Sequence, residues 1–292
     1  MKHIILYYFS GTGNTAYVCN LLKGALEKRS VKADLVKMEE FHEPIDPAAL
    51  KGVDAVCLCY PVYAFRPAAL VLRFAGLLPA VQTMPMFHIK TAGGVRGLTE
   101  YASTSLSRAL AKKGYRTEYD RTVTMGSNWY YAYDDRLVKQ LALAAEEKAE
   151  QIAEDIISGK KRILKPNFIQ TFFSWLASFG EHHMGAKQFG KSLSADENCN
   201  ACGLCAKNCP QKNIRMDGAR PVFGSDCLWC MRCIYACPKK AIYSKGMQFA
   251  ILKNGYDLKH VLADDSITPD FVGANTRGVF KSFHQYCIDR DA

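Results

Sequence analysis

Residues 9–15, Phe9-Ser10-Gly11-Thr12-Gly13-Asn14-Thr15 (FSGTGNT), follow directly on the apolar run HIILYY. Small residues and hydroxyls between a hydrophobic strand and a helix make a cradle for phosphate. The glycines let the backbone curl, and the N–H groups at the helix start point at the anion. The next stretch, TAYVCNLLKGALEKR at 15–29, carries Val18, Leu22 and Leu26 at helical spacing. A strand, a phosphate loop and a helix are therefore expected here. Which phosphate the loop holds decides the rest.

A Walker loop needs Gly-Lys-Ser/Thr so that a lysine meets the outer phosphates. No lysine lies between Lys2 and Lys23, which argues against a nucleoside triphosphate. The dinucleotide fingerprint fits only in its loosest form, Gly11-x-Gly13-x-x-Ala16, and Glu39 comes late for the acid that would hold a ribose. Ser10, Thr12 and Thr15 alternate with Gly11, Gly13 and Asn14. Three hydroxyls added to the backbone N–H groups suit a terminal monoester dianion with no cationic side chain. FMN carries such a phosphate.

Beyond the loop, strands are expected at 2–9, 33–38, 53–60, 84–91 and 117–125, with helices at 15–29, 67–77, 98–113 and 134–158. Five alternations of strand and helix call for an α/β, doubly wound, five-stranded parallel sheet with helices on both faces. Ligands bind beyond the carboxyl ends of such strands. The loops leaving those ends offer Pro61, Val62 and Tyr63, then Thr91, Ala92, Gly93 and Gly94, then Ser127, Asn128, Trp129 and Tyr130.

Eight of the 12 cysteines fall between Cys199 and Cys237. Cys199, Cys202, Cys205 and Cys209-Pro210 form one run; Cys227, Cys230, Cys233 and Cys237-Pro238 repeat it, with Lys212/Lys240 and Ile214/Ile242 in step. Each run offers three close thiolates to one face of a 4Fe–4S cubane, and the cysteine before proline reaches the other cluster. Cluster I then takes Cys199, Cys202, Cys205 and Cys237; cluster II takes Cys227, Cys230, Cys233 and Cys209. Zinc is the rival, but zinc needs neither the third and fourth cysteine at these spacings nor the repeated proline. Cys19, Cys57, Cys59 and Cys287 read as structural thiols.

The chain has 292 residues and a formal charge of +10. No block of like charge stands out, so nucleic-acid binding is not expected; a basic face for an acidic redox partner is. The start, MKHIILYYFSGTG, reads as a strand rather than a signal peptide, and a cytoplasmic, reducing setting is expected. The organisation expected is a nucleotide domain at 1–160, a linker at 161–195, a small α+β cluster domain at 196–246 and an extension at 247–292. Within the linker, Phe168, Phe172, Trp175 and Phe179 share one helical stripe, read as a domain-joining helix rather than a membrane-surface one. His182 and His183 are read as surface or packing residues.

The S-G-T-G-N-T stretch resembles the flavodoxin phosphate loop, and the two cysteine runs resemble bacterial-type two-cluster ferredoxins. The whole chain resembles fusions of a flavodoxin-like domain with such a ferredoxin domain, over about 1–160 and 196–246. The resemblance implies that the flavin ring lies among the loops at 61–63, 91–94 and 127–130, with Tyr63 favoured over Trp129 as its stacking partner. Tyr63, Arg66, His88, Lys90, Arg96 and Tyr130 are candidates for the flavin edge. It implies electron transfer between the clusters and FMN, with a protein partner such as a ferredoxin, flavodoxin or reductase. Either a small molecule is reduced at the flavin, or the chain only carries electrons for another enzyme.

Overall fold

The apolar run that opens the chain becomes the centre of a sheet. In a computed structural model that describes residues 1–95, 97–164, 170, 172 and 185–291, His3–Tyr8 forms β1, buried along its middle on both faces. It pairs in parallel with β2 (Lys32–Lys37) on one side and β3 (Ala55–Tyr63) on the other. Next come β5 (Met84–Ala92) and β6 (Tyr115–Thr124), also parallel, giving the order β2-β1-β3-β5-β6. Counting the parallel strands alone, this is the flavodoxin-like 2-1-3-4-5 order, whose reversal at β1/β3 leaves a crevice beyond the strand ends.

Helices cover both faces. On one, α1 (Asn14–Glu27) and α4 (Asp135–Ile157) bury Val18, Leu22, Ala142 and Ile152 against Leu6, Cys57 and Ile89. On the other, α2 (Ala69–Leu77) and α3 (Thr104–Ala111) bury Phe74 and Leu106 against Ile5, Tyr7 and Leu58. Cys19, Cys57 and Cys59 all lie in the first of these cores.

Two local expectations are corrected. The helix expected from Pro67 starts at Ala69, because Arg66–Pro67 folds back as β4, antiparallel to β3. Left-handed Ala64 and Phe65, at φ 38 and 65°, make that two-residue turn, the geometry that matches the twist of a tight hairpin. The helix expected over 98–113 is broken into a 3-10 turn at Leu98–Tyr101 followed by α3.

The cysteine-rich part is built from short pieces. These are α5 (Ala186–Ser192), β7 (Leu193–Ala195), α6 (Leu204–Asn208), β8 (Ile214–Asp217), β9 (Arg220–Phe223), α7 (Arg232–Tyr235) and β10 (Ile242–Ser244). β10 pairs with β7 and β8 with β9, both antiparallel. The chain then returns over the first sheet. Leu258 and Val261 of α8 (Leu258–Ala263) join the core of α1 and α4; Phe283 and Tyr286 of α9 (Lys281–Ile288) pack on Leu137 and Leu141 of α4. Tyr286 Oη accepts the Thr124 N–H at 2.9 Å, and Lys148 Nζ donates to the Asp289 carbonyl at 2.8 Å. Cys287 is half-buried there, its thiol pushed up to about 11 by burial. Among the described residues no helix is long and apolar enough to cross a membrane. Phe172 is exposed; Arg96, Phe168, Trp175, Phe179, His182 and His183 lie outside the described residues.

Candidate functional site

The loop after β1 is held open by hydrogen bonds from three directions. Gly13 caps α1 at φ 107°, a conformation that glycine adopts without Cβ strain, and its N–H donates to Ser10 Oγ at 3.2 Å. Asn14 Nδ2 donates to the Gly126 carbonyl at 2.9 Å, and Tyr256 Oη donates to Asn14 Oδ1 at 2.5 Å. Asn128 Nδ2 donates to Thr12 Oγ1 at 2.6 Å, and the hydroxyls of Thr15 and Thr91 meet at 2.7 Å. The ends of β5 and β6 and the C-terminal extension thus fix the loop, while the first turn of α1 offers N–H groups the helix itself cannot satisfy.

This loop floors a cavity of about 640 Å³, within the range of small-molecule and cofactor sites. Ser10, Gly11, Thr12, Asn14, Thr15, Pro61, Val62, Tyr63, Thr91, Ala92, Gly93, Gly94, Asn128 and Trp129 all line it; Gly13, of the residues expected there, does not. Among the described residues none that lines the cavity is charged, and N–H and hydroxyl groups are what they offer an anion. Tyr133 also lines the cavity, its phenol raised to about 12 by burial and donating to the Gly93 carbonyl.

Several candidates for the edge belong elsewhere. His88 and Lys90 are fully buried within the sheet's second core. Lys90 pairs with Asp120 at 2.5 Å, and His88 Nε2 meets Ser107 Oγ at 3.0 Å. Burial lowers the His88 pKa to about 4, keeping it neutral. Tyr130 is 64% exposed, and neither it nor Arg66 lines the cavity.

Two wall residues come from beyond the sheet domain, Gly185 in the linker and Trp229 in the second cysteine run. No spacing rule within the loops could reveal them. The cavity also passes a chemical test for a flavin. Thr99 and Trp229 both line it, and among the described residues Thr99 Oγ1 and Trp229 Nε1 are buried without a hydrogen-bond partner. Such orphans are rare unless a ligand or water completes them. An isoalloxazine ring, with carbonyl and ring-nitrogen acceptors on an apolar body, suits these walls.

The cysteines surround two further cavities. Cys199, Cys202, Cys205 and Cys237 line one, and Cys209, Cys227, Cys230 and Cys233 the other. Both runs use the same backbone device. Ala201 and Trp229, Gly203 and Met231, and Lys212 and Lys240 are left-handed in pairs, at φ between 49 and 70°. The fourth sulfurs are treated alike: Asn213 N–H reaches Cys209 Sγ and Ala241 N–H reaches Cys237 Sγ, each at 3.4 Å. Cys202 is exposed, whereas Cys230 is buried. Among the described residues no three His, Cys, Asp or Glu converge as they would on a single metal ion.

The second cysteine run is docked on the loop after β1. Arg232, between Cys230 and Cys233, donates to the carbonyls of Ser10 at 2.5 Å and Gly11 at 3.2 Å. It forks onto both oxygens of Glu39 at 2.7 Å and lies 5.6 Å over the Phe9 ring. Glu39 therefore anchors the docked run rather than a ribose. A Cβ on Gly11 would come within 2.7 Å of the Cys230 carbonyl and 2.5 Å of Tyr63 Oη, so only glycine allows this approach. Tyr235 Oη donates to the Asn128 carbonyl at 3.0 Å, and the Trp129 and Trp229 rings meet edge to face at 5.2 Å.

Residues 192–241 match the family model of the 4Fe-4S dicluster domain. No curated protein matches the chain. Among solved structures, a flavodoxin from the domain Archaea is 13% identical, covering 53% of this chain and 99% of its own, at a TM-score of 0.37. Oxidised flavodoxin 1 from Bacillus cereus is 14% identical over 54% and 98%, at 0.39. The NAD(P)H:quinone oxidoreductase from Methanothermobacter marburgensis is 10% identical over 53% and 98%, at 0.40. The chain therefore joins a flavodoxin-like sheet, recognised by its strand order, to a 4Fe–4S dicluster domain.

Proposed function

We propose that this chain is an iron–sulfur flavoprotein that moves electrons between two 4Fe–4S clusters and one FMN. The observation that carries the reading is a shared wall. The Cys227–Cys230 loop lines one cysteine cavity, and Trp229, in the middle of that loop, lines the cavity floored by the phosphate loop. Bound flavin supplies the two-electron chemistry that single-electron clusters lack. The chain supplies position. Ser10, Thr12 and Thr15, with the N–H groups opening α1, would hold the phosphate; Pro61–Tyr63, Thr91–Gly94 and Asn128–Trp129 would frame the ring. Arg232 and Glu39 hold the second cysteine run against the loop.

In this reading Cys199, Cys202, Cys205 and Cys237 hold cluster I, and Cys209, Cys227, Cys230 and Cys233 hold cluster II. Exposed Cys202 favours the first cluster as the one that a partner protein approaches, and Trp229, next to Cys230 and lining the cavity, supports the second as the one beside the flavin. Anaerobic reconstitution is expected to give about eight irons and one FMN per chain. Stoichiometric zinc, or FAD retained in preference to FMN, would overturn it.

One observation favours a carrier over a reductase with its own substrate. No described residue that lines the cavity is charged, and Tyr133, raised to about 12, holds its proton tightly. A reductase needs a ready proton donor beside the flavin. We expect the photoreduced protein to pass electrons to a protein acceptor and to leave small electrophiles unreduced. Steady turnover of such a molecule would restore the reductase reading.

A further inference from the structure

Trp229 occupies an unusual position for a large side chain. It stands between two cysteines of the buried run, at φ 57°, a left-handed conformation that bulky residues avoid unless the surroundings impose it. The cysteine loop imposes it: the equivalent Ala201, in the other run, has the same φ. There the residue is exposed alanine; here it is an indole only 9% exposed. Loop geometry accounts for the backbone and leaves the side chain unexplained.

The ring is held on three sides. It stacks on Phe189 at 5.1 Å and 22°, and meets Trp129 edge to face at 5.2 Å. Against Gly185 it packs so closely that a Cβ there would lie 2.6 Å from Trp229 Cζ3. A ring wedged this firmly has its N–H fixed in place. That N–H is buried and has no partner among the described residues, although Trp229 lines the cavity. Indole nitrogen can only donate, and a buried donor left unpaired is costly. Plain packing would be served as well by phenylalanine.

We propose that Trp229 is a positioning residue for the flavin: its indole N–H donates to an acceptor of the bound isoalloxazine, which fixes the ring against the ligand loop of the buried cluster. The inference rests on the flavin reading above. It adds that the cluster domain contributes directly to flavin binding, so that the flavodoxin-like part alone is an incomplete site.

The test is a fluorescence titration of FMN into the cluster-loaded chain, with iron content and cluster EPR recorded alongside. Trp229→Phe should bind FMN about 5–30-fold more weakly, the scale of one lost buried hydrogen bond, with both cluster signals retained. Site-specific replacement of Trp229 by its benzothienyl analogue, sulfur for N–H in the same shape, should lose the same factor; a purely structural ring would not register that change. If Trp229→Phe fails to fold, the analogue and Gly185→Ala, which displaces the ring, decide the matter. Unchanged affinity with the analogue overturns this inference and leaves the flavin reading standing. A wild-type chain that takes up no flavin sinks that reading, and this inference with it.

Discussion

The two cysteine runs share their spacing, three pairs of left-handed residues and the N–H donated to each fourth sulfur. They differ in almost everything between the cysteines. The first reads Cys-Asn-Ala-Cys-Gly-Leu-Cys and carries exposed Cys202 and Leu204; the second reads Cys-Leu-Trp-Cys-Met-Arg-Cys and has Leu228, Trp229, Cys230 and Met231 all buried. The shared features fit the ligation proposed for both runs. The differences follow from neighbours: solvent for one, the phosphate loop and its cavity for the other. In a duplicated site, then, departures from the repeat mark the face that meets another part of the molecule.

The largest break in this comparison is removal of a fourth ligand. Cys209→Ala should abolish the buried cluster and spare the exposed one, and Cys237→Ala the reverse, read as loss of about half the iron and of one EPR signal. Damage confined to the cluster of the altered run itself would refute the crossing. Next comes the docking arginine. Arg232→Ala strips Glu39 of its partner and leaves two loop carbonyls without a donor, which should cost about 2–3 kcal/mol in denaturant unfolding. Its counterpart Leu204→Ala should cost about 0.5 kcal/mol or less, as exposed substitutions do.

Gly11→Ala forces the phosphate loop away from the Cys230 carbonyl and should cost about 1–3 kcal/mol, together with a slower flavin bleach after rapid cluster reduction. Gly203→Ala meets nothing within 4 Å, so only its left-handed φ of 70° is strained; about 1 kcal/mol is expected, with no change in the bleach. Equal effects from the two glycines would remove the distinction between the runs.

The loop between β1 and α1, the alternation of strands and helices, and the repeat of cysteines were legible because each is a local pattern at fixed spacing. The 64–65 hairpin was missed because neither Ala64 nor Phe65 announces a left-handed turn. His88 and Lys90 were misplaced for another reason. They lie on a strand buried on both faces, where a polar residue points to a core partner such as Ser107 or Asp120 as readily as to a ligand. Glu39 meets Arg232, and Gly185 meets Trp229, across long stretches of chain, and no periodicity encodes such contacts. One signal was available: tryptophan and arginine stand in one run where alanine and leucine stand in the other.

The central claim, that the flavin cavity adjoins the buried cluster and not the exposed one, is open to a direct measurement. The probe is the 5-deaza analogue of FMN, which occupies a flavin site while resisting one-electron reduction, added to protein whose clusters are reduced. In Cys237→Ala, which retains the buried cluster, binding of the analogue should shift the cluster EPR spectrum. In Cys209→Ala, which retains the exposed cluster, binding should leave the spectrum unchanged. A shift in Cys209→Ala with none in Cys237→Ala would contradict the account.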